Sequence, residues 1–141
     1  MTDTDARRFL QARQDKYRSH DAKALAADHA PEGSVHSPIF ATVVGRAAIE
    51  HAYASLFQVF PDWSVTFDEA ILDGPRAAHP CHVTATHLGV FMGLPGTGRQ
   101  VDFRGVLLYT LDAGLIAEEW RLYDFTAILV KMGVLRVKPG I

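Results

Sequence analysis

The sequence predicts an α+β fold in a single domain spanning residues 1–141. Three observations carry the expectation. Apolar residues repeat at helical spacing through most of the first 60 residues, and runs alternating with period two fill most of residues 63–125. The turns between the last runs are too short to carry a parallel crossover. Helices and strands segregated along a chain in this way pack as the layers of an α+β domain.

The first helix rests on Phe9, Leu10, Arg13 and Tyr17, with Thr4 or Asp5 as its cap. Asp21 can cap a second, short helix through Leu25 to about Ala30, which Pro31 to Ser34 end. Val35 to Val44 reads as a bent strand or strand pair, and Pro38 restricts it to an edge or a bulge. Ala47 to about Phe60 is a third helix with Ile49, Tyr53, Leu56, Phe57 and Phe60 on its apolar stripe. Trp63 to Leu72 alternates as a strand, and Asp73-Gly74-Pro75 turns the chain. Arg76 to Met92 reads as a long strand region with a bulge expected at Pro80. Gly93 to Gly98 turns, Val101 to Leu111 returns, Asp112-Ala113-Gly114 is a tight hairpin connection, and Leu115 to Phe125 is the last strand. Thr126 to Gly133 suits a short C-terminal helix, with a loose tail after it. Three N-terminal helices packed on a curved, mixed, mostly antiparallel sheet leave a cone with a mouth at one end, where deep pockets form.

A chain of this length buries roughly 68–70% of its unfolded surface, enough to fold without a metal or disulfide staple. Hydrophobic residues at 48% against 21% charged describe a globular balance. A formal net charge of -2 argues against nucleic acid or an anionic membrane as partner, and no apolar run approaches the ~20 residues that span a bilayer. Cys81 stands alone, so a reducing cytoplasm is the expected location, and the charged N-terminus has no signal-peptide core.

Several stretches carry a resemblance. They are Ser37-Pro38, Gly45 with Ile49, and Phe60-Pro61-Asp62-Trp63. Further on come Thr86-His87-Leu88-Gly89, Phe91 through Arg99, Gly114 with Ile116, Glu118-Glu119-Trp120, and Asp124. In this order and over nearly the whole chain they resemble the SnoaL-like polyketide cyclases, of the nuclear-transport-factor-2-like superfamily. Gly96 stands where the family usually has a second proline. The resemblance implies a cone-shaped α+β fold and a cofactor-free intramolecular aldol closure, in which a carboxylate base forms an enolate. It places that acid/base aspartate at Asp124.

Asp124 follows Trp120 and Leu122 at period two on the last strand. If that face is concave, the carboxylate sits in an apolar hollow and its proton affinity rises. The alternative is a cap for the final helix. His87, among apolar neighbours, can donate to an enolate oxygen or orient the carboxylate; otherwise it is a hydrogen-bonded sheet histidine. Arg104 could pair with Asp124, Glu118 or substrate, or lie on a solvated face with Asp102. His36 and Tyr17 are candidate mouth residues, and Phe40, Phe57, Phe60, Phe91 and Trp120 are candidate pocket walls or plain core.

No metal and no cofactor are expected. His79, Cys81, His82 and His87 are metal-ligand types, but His79 and His82 point to opposite faces of an extended strand. The glycines from Gly93 to Gly98 join two strands and open no helix, so they are a turn and no phosphate loop. The expected function is a cofactor-independent enzyme on a carbonyl-rich or polycyclic, polyketide-like small molecule. The alternatives are an epoxide hydrolase, isomerase or dehydratase on the same fold, or a non-catalytic module for a small apolar ligand. A homodimer is expected, because the open face of such a sheet is usually covered by a second copy.

Overall fold

The structure, a computed structural model, describes residues 1–136. The elements are α1 (Asp3–Arg18), α2 (Ala22–Ala27), β1 (His29–Ser37), β2 (Ala41–Val44), α3 (Arg46–Val59), β3 (Ser64–Phe67), β4 (Ile71–Asp73), β5 (Arg76–Thr86), β6 (Gln100–Asp112), β7 (Leu115–Tyr123) and α4 (Phe125–Lys131). The seven strands form one sheet in the order β2-β1-β7-β6-β5-β3, with β4 also on β5. Only β1 against β7 is parallel, so the sheet is mixed and mostly antiparallel, as expected. The tail expectation reaches residues 137–141, outside the described ones.

Helix α1 starts two or three residues earlier than a cap at Thr4 or Asp5 would start it. Thr2 is the cap, accepting from Asp5 N, and the Asp5 carboxylate accepts from Thr2 N to complete a capping box. Its inner stripe is Ala6, Leu10, Arg13 and Tyr17. Strand β1 takes in Pro31 to Ser34, the residues expected only to end α2, because the chain runs beside β7 from His29 with an irregularity before Ser34. Pro80 causes no bulge. The pairing of β5 with β6 runs unbroken from Arg76 to Thr86, and the missing N–H falls where the other neighbour breaks between β3 and β4. Strand β5 ends at Thr86 rather than Met92. The following loop is tied to the end of α3, where Leu88 N and Gly89 N both donate to Val59 O.

The hairpin of β6 and β7 decides the site. Leu111 pairs with Ile116 but Thr110 pairs with Glu118, so Ala117 is an extra residue on β7. A bulge of one residue reverses every side chain beyond it. Ile116 faces inward; past the bulge Glu119 and Arg121 are buried, whereas Trp120 (45% exposed) and Leu122 (47%) face out. The inner face of the sheet wraps α1 and α3, and α4 packs Ile128 and Met132 against Phe60, Phe91 and Val101.

Candidate functional site

A narrow apolar cavity opens on the inner face of the sheet. Val83 and Cys81 come from β5, Phe103 and Gly105 from β6, and Arg121 and Tyr123 from β7. Tyr17 of α1, Leu56 of α3, and Trp63, Val65 and Phe67 close the other side. Ser37, Ile39 and Phe40 of the β1–β2 connection complete the wall. The cavity volume is about 40 Å3. That holds a few waters and falls well short of the ~300 Å3 at which drug-sized ligands begin to fit. The aromatic walls therefore fill most of the cone without plugging it.

Two polar groups of this wall are unpartnered donors. Arg121 is 8% exposed, and its Nη2 has no hydrogen-bond partner. The buried Nε1 of Trp63 has none either. Ser37 Oγ meets Tyr123 OH at 3.0 Å and accepts from Ile39 N at 3.1 Å, which fastens the β1–β2 connection to β7. Burial raises the Tyr17 and Tyr123 phenols above their usual value and pushes the Cys81 thiol up to about 11, so all three keep their protons near neutral pH.

Behind Arg121 lies a buried charge network. Arg121 Nε donates to Glu119 Oε2 at 2.6 Å, and the guanidinium sits 4.7 Å from the centre of the Tyr53 ring. Glu119 is fully buried, and its other oxygen faces Arg13 Nη2 at 3.9 Å and His29 Nε2 at 3.7 Å. Arg13 donates to Asp28 at 3.0 Å and to Tyr53 OH at 2.9 Å, and Lys16 reaches Asp28 at 2.7 Å. Burial favours the protonated Glu119 carboxyl, but the charges of Arg121 and Arg13 and the hydrogen bond from Arg121 outweigh it and hold the group below the usual carboxylate range. Burial depresses His29 to about 4, which leaves it neutral.

The residues expected at the site divide between the two faces. Tyr17 and Phe40 line the cavity. Asp124 does not lie in an apolar hollow: it is exposed, and its Oδ1 accepts from Ala127 N at 3.0 Å as the cap of α4. The bulge is the reason, because it turns the Trp120-Leu122-Asp124 face outward. Arg104 is on the outer face too, its side chain 69% exposed and 3.4 Å from Asp68, with no salt bridge to Asp124 or Glu118. His36 bridges Thr42 and Glu118 and stacks on Trp120, also outside. His87 is buried but tied to the loop: its Nδ1 accepts from Thr97 N at 3.2 Å and meets Thr97 Oγ1 at 2.9 Å, which puts the proton of a neutral ring on Nε2. Phe60 and Phe91 pack beside it as core, and Phe57 stacks on His20 at 4.4 Å. Reading by parity missed Glu119, Arg121, Arg13, His29 and Trp63. The one signal for the pair was opposite charges two apart on a strand, which places them on the same face.

The family model for the SnoaL-like polyketide cyclases matches residues 5–131. The chain belongs to this family. SnoaL-like folds recur among solved structures. TsrD from Streptomyces laurentii superposes with a TM-score of 0.83 at 19% identity, covering 96% of this chain and 99% of that one. AclR from Streptomyces galilaeus, provisionally assigned as a hydroxylase, gives 0.78 at 24% identity over 93% and 86%. IdmH from Streptomyces antibioticus, provisionally assigned as a polyketide cyclase, gives 0.73 at 24% over 89% and 96%. At these identities the likeness is one of fold. No curated protein matches the chain. Among the described residues no helix is long and apolar enough to cross a membrane, and no group of three or more His, Cys, Asp or Glu could hold a metal ion.

Proposed function

We propose that this SnoaL-like domain is a cofactor-independent enzyme that binds a carbonyl-rich small molecule in the cavity and stabilises its enolate through Arg121. The observation that carries the reading is the unpartnered, buried Nη2 of Arg121, a residue of the cavity wall. A water held in the cavity takes the proton beside the carbonyl, and the negative charge left on the substrate moves onto oxygen. A fixed guanidinium in a site without bulk water stabilises that charge far more than it would in water. The walls exclude bulk water, and Trp63 Nε1 offers a second donor for a neighbouring carbonyl. A ligand larger than the present cavity needs the Pro38–Phe40 connection to swing aside, which breaks the Ser37 to Tyr123 contact. Homodimer formation through the outer sheet face, where Trp120 and Leu122 are exposed, is part of the proposal. Size-exclusion chromatography showing only a monomer would remove it.

One observation favours a second reading, a non-catalytic binding module. No carboxylate is among the described residues that line the cavity. A carboxylate–arginine–carboxylate chain of the kind that would suit epoxide opening does exist as Asp28–Arg13–Glu119, but Glu119 is fully buried behind Arg121. A single experiment separates enzyme from module. 1-Phenylbutane-1,3-dione is followed in D2O by NMR for exchange at its central carbon, and its binding is followed by Trp63 fluorescence in a Trp120→Phe background. Binding with exchange faster than buffer supports the enzyme, and Arg121→Met should remove the acceleration. Binding without acceleration leaves the module. No binding ends both.

A further inference from the structure

We infer that the 38–40 connection is a gate on the cavity and that the hydrogen bond between Ser37 and Tyr123 is its latch. The gate has a purpose only if the proposed cavity binding holds, but its opening can be read without a ligand.

Most of the cavity wall is fixed frame. Its residues lie in helices or strands, except Trp63 and the neighbours Ile39 and Phe40. Trp63 is fastened through its backbone. Its N–H donates to Phe60 O at 3.0 Å, and its carbonyl meets His20 Nε2 at 2.8 Å. The 38–40 connection has no such tie. Among the described residues, Pro38, Ile39 and Phe40 make no backbone–backbone hydrogen bond. Segments held in this way open at little cost. The pairing of β1 with β7 ends at His36, so the connection overhangs the sheet. On its other side β2 is the outermost strand. His36 pins the root of the overhang, through Thr42 at 2.8 Å and Glu118 at 3.1 Å. Past that root, β7 holds it through Tyr123 OH, 3.0 Å from Ser37 Oγ. Closing also packs Ile39 and Phe40 against the core. Against these gains stands Ala41, kept at φ 56° where the connection rejoins β2. A left-handed alanine is strained, and opening lets it leave that conformation. Opposing contributions this small can be tipped by one hydrogen bond.

Tyr123→Phe removes the latch hydroxyl and keeps the ring. Ser37 Oγ is not orphaned, because it still accepts from Ile39 N. Loss of one neutral hydrogen bond should raise the open fraction roughly 2- to 10-fold. The ligand-free readout is NMR hydrogen exchange of the Trp63 indole N–H, which is buried and unpartnered in the closed protein. It should quicken by that factor, while amides paired between β5 and β6 keep their protection. Ser37→Ala should act alike, and the double variant should do no more than either, since all three remove the same bond. The second readout is stopped-flow tryptophan fluorescence with 1-phenylbutane-1,3-dione. Association should quicken by the same factor with dissociation unchanged, because the latch is already broken in the bound protein. That gain in affinity is one that structural damage would not produce. Unchanged indole exchange in both single variants overturns the latch. Protection lost equally across β5 and β6 also overturns it, because the bond then holds the fold. Faster exchange with unchanged association puts the entry route elsewhere and overturns the gate. A diketone that binds no variant removes the cavity reading alone, and the exchange result still decides whether the connection opens.

Discussion

Asp124 is where the family resemblance and the geometry part, and substitution there separates them. Its side chain caps α4 through a 3.0 Å bond to Ala127 N, from an exposed position on the outward side of the sheet. Losing a cap costs about 1 kcal/mol. For a domain of this size that is a fall of roughly 2–4 °C in Tm. Asp124→Ala should show this loss in urea and thermal melts. Asparagine caps as well as aspartate, and only the favourable charge at the helix N-terminus goes, worth roughly 0.3–1 kcal/mol. Asp124→Asn should therefore melt within about 1 °C to 3 °C of the wild type and keep the exchange reaction of the diketone. A general base contributes roughly 10²–10⁴-fold. A drop of that size in Asp124→Asn, with stability intact, would refute the cap as the whole role of Asp124 and return the acid/base function to it.

Stability should fall on acidification before most carboxylates titrate. His29 and His79 are buried and depressed to about 4, against an ordinary value of 6.5. Between these values the unfolded chain holds protons that the folded chain does not, so folding weakens as pH drops from about 6.5 toward 4. For His29 alone the loss is on the order of 3 kcal/mol. Urea midpoints across this window should flatten in His29→Asn, and an unchanged slope in that variant would contradict the assignment. Below about 4.5 Glu119 adds to the loss, because its carboxyl is held down in the fold and protonates more readily once unfolded. Gly89→Ala should detach the 87–98 loop, since a Cβ there collides with the Gln58 carbonyl of α3. Hydrogen exchange should quicken at Leu88 and at residue 89, which both bond Val59 O, and unchanged protection would refute the contact.

The fold was legible because its signals are local. The stripe of Leu10, Arg13 and Tyr17, the cap at Asp21, and the Asp112-Ala113-Gly114 turn each act within a few residues, and each appears where the chain implies it. Two boundaries failed for non-local reasons. Strand β1 extends through Pro31 because β7 is there to pair with it, and β5 stops at Thr86 because the next residues bond the end of α3.

The site failed on one residue. Counting by twos from Ile116 gives the right facing at Ile116 and the wrong one at Glu118, Trp120, Leu122 and Asp124, because Ala117 is spent in the bulge. Nothing in Leu115-Ile116-Ala117-Glu118 marks that bulge, and it carries no glycine. Hydrophobicity also argued for the wrong face, since it puts Trp120 and Leu122 inside and Glu119 and Arg121 outside. Burying the charged pair is favourable only in company. Glu119 needs Arg121 beside it, Arg13 from α1 and His29 from the start of β1, and Arg13 in turn needs Asp28. Arg13, Asp28 and His29 stand about 90 to 106 positions away from Glu119 in the chain, so the compensation that makes the inward pair favourable exists only after folding. A pattern read from one strand at a time has no access to it, and the outward Asp124 and inward Arg121 follow from the same slip.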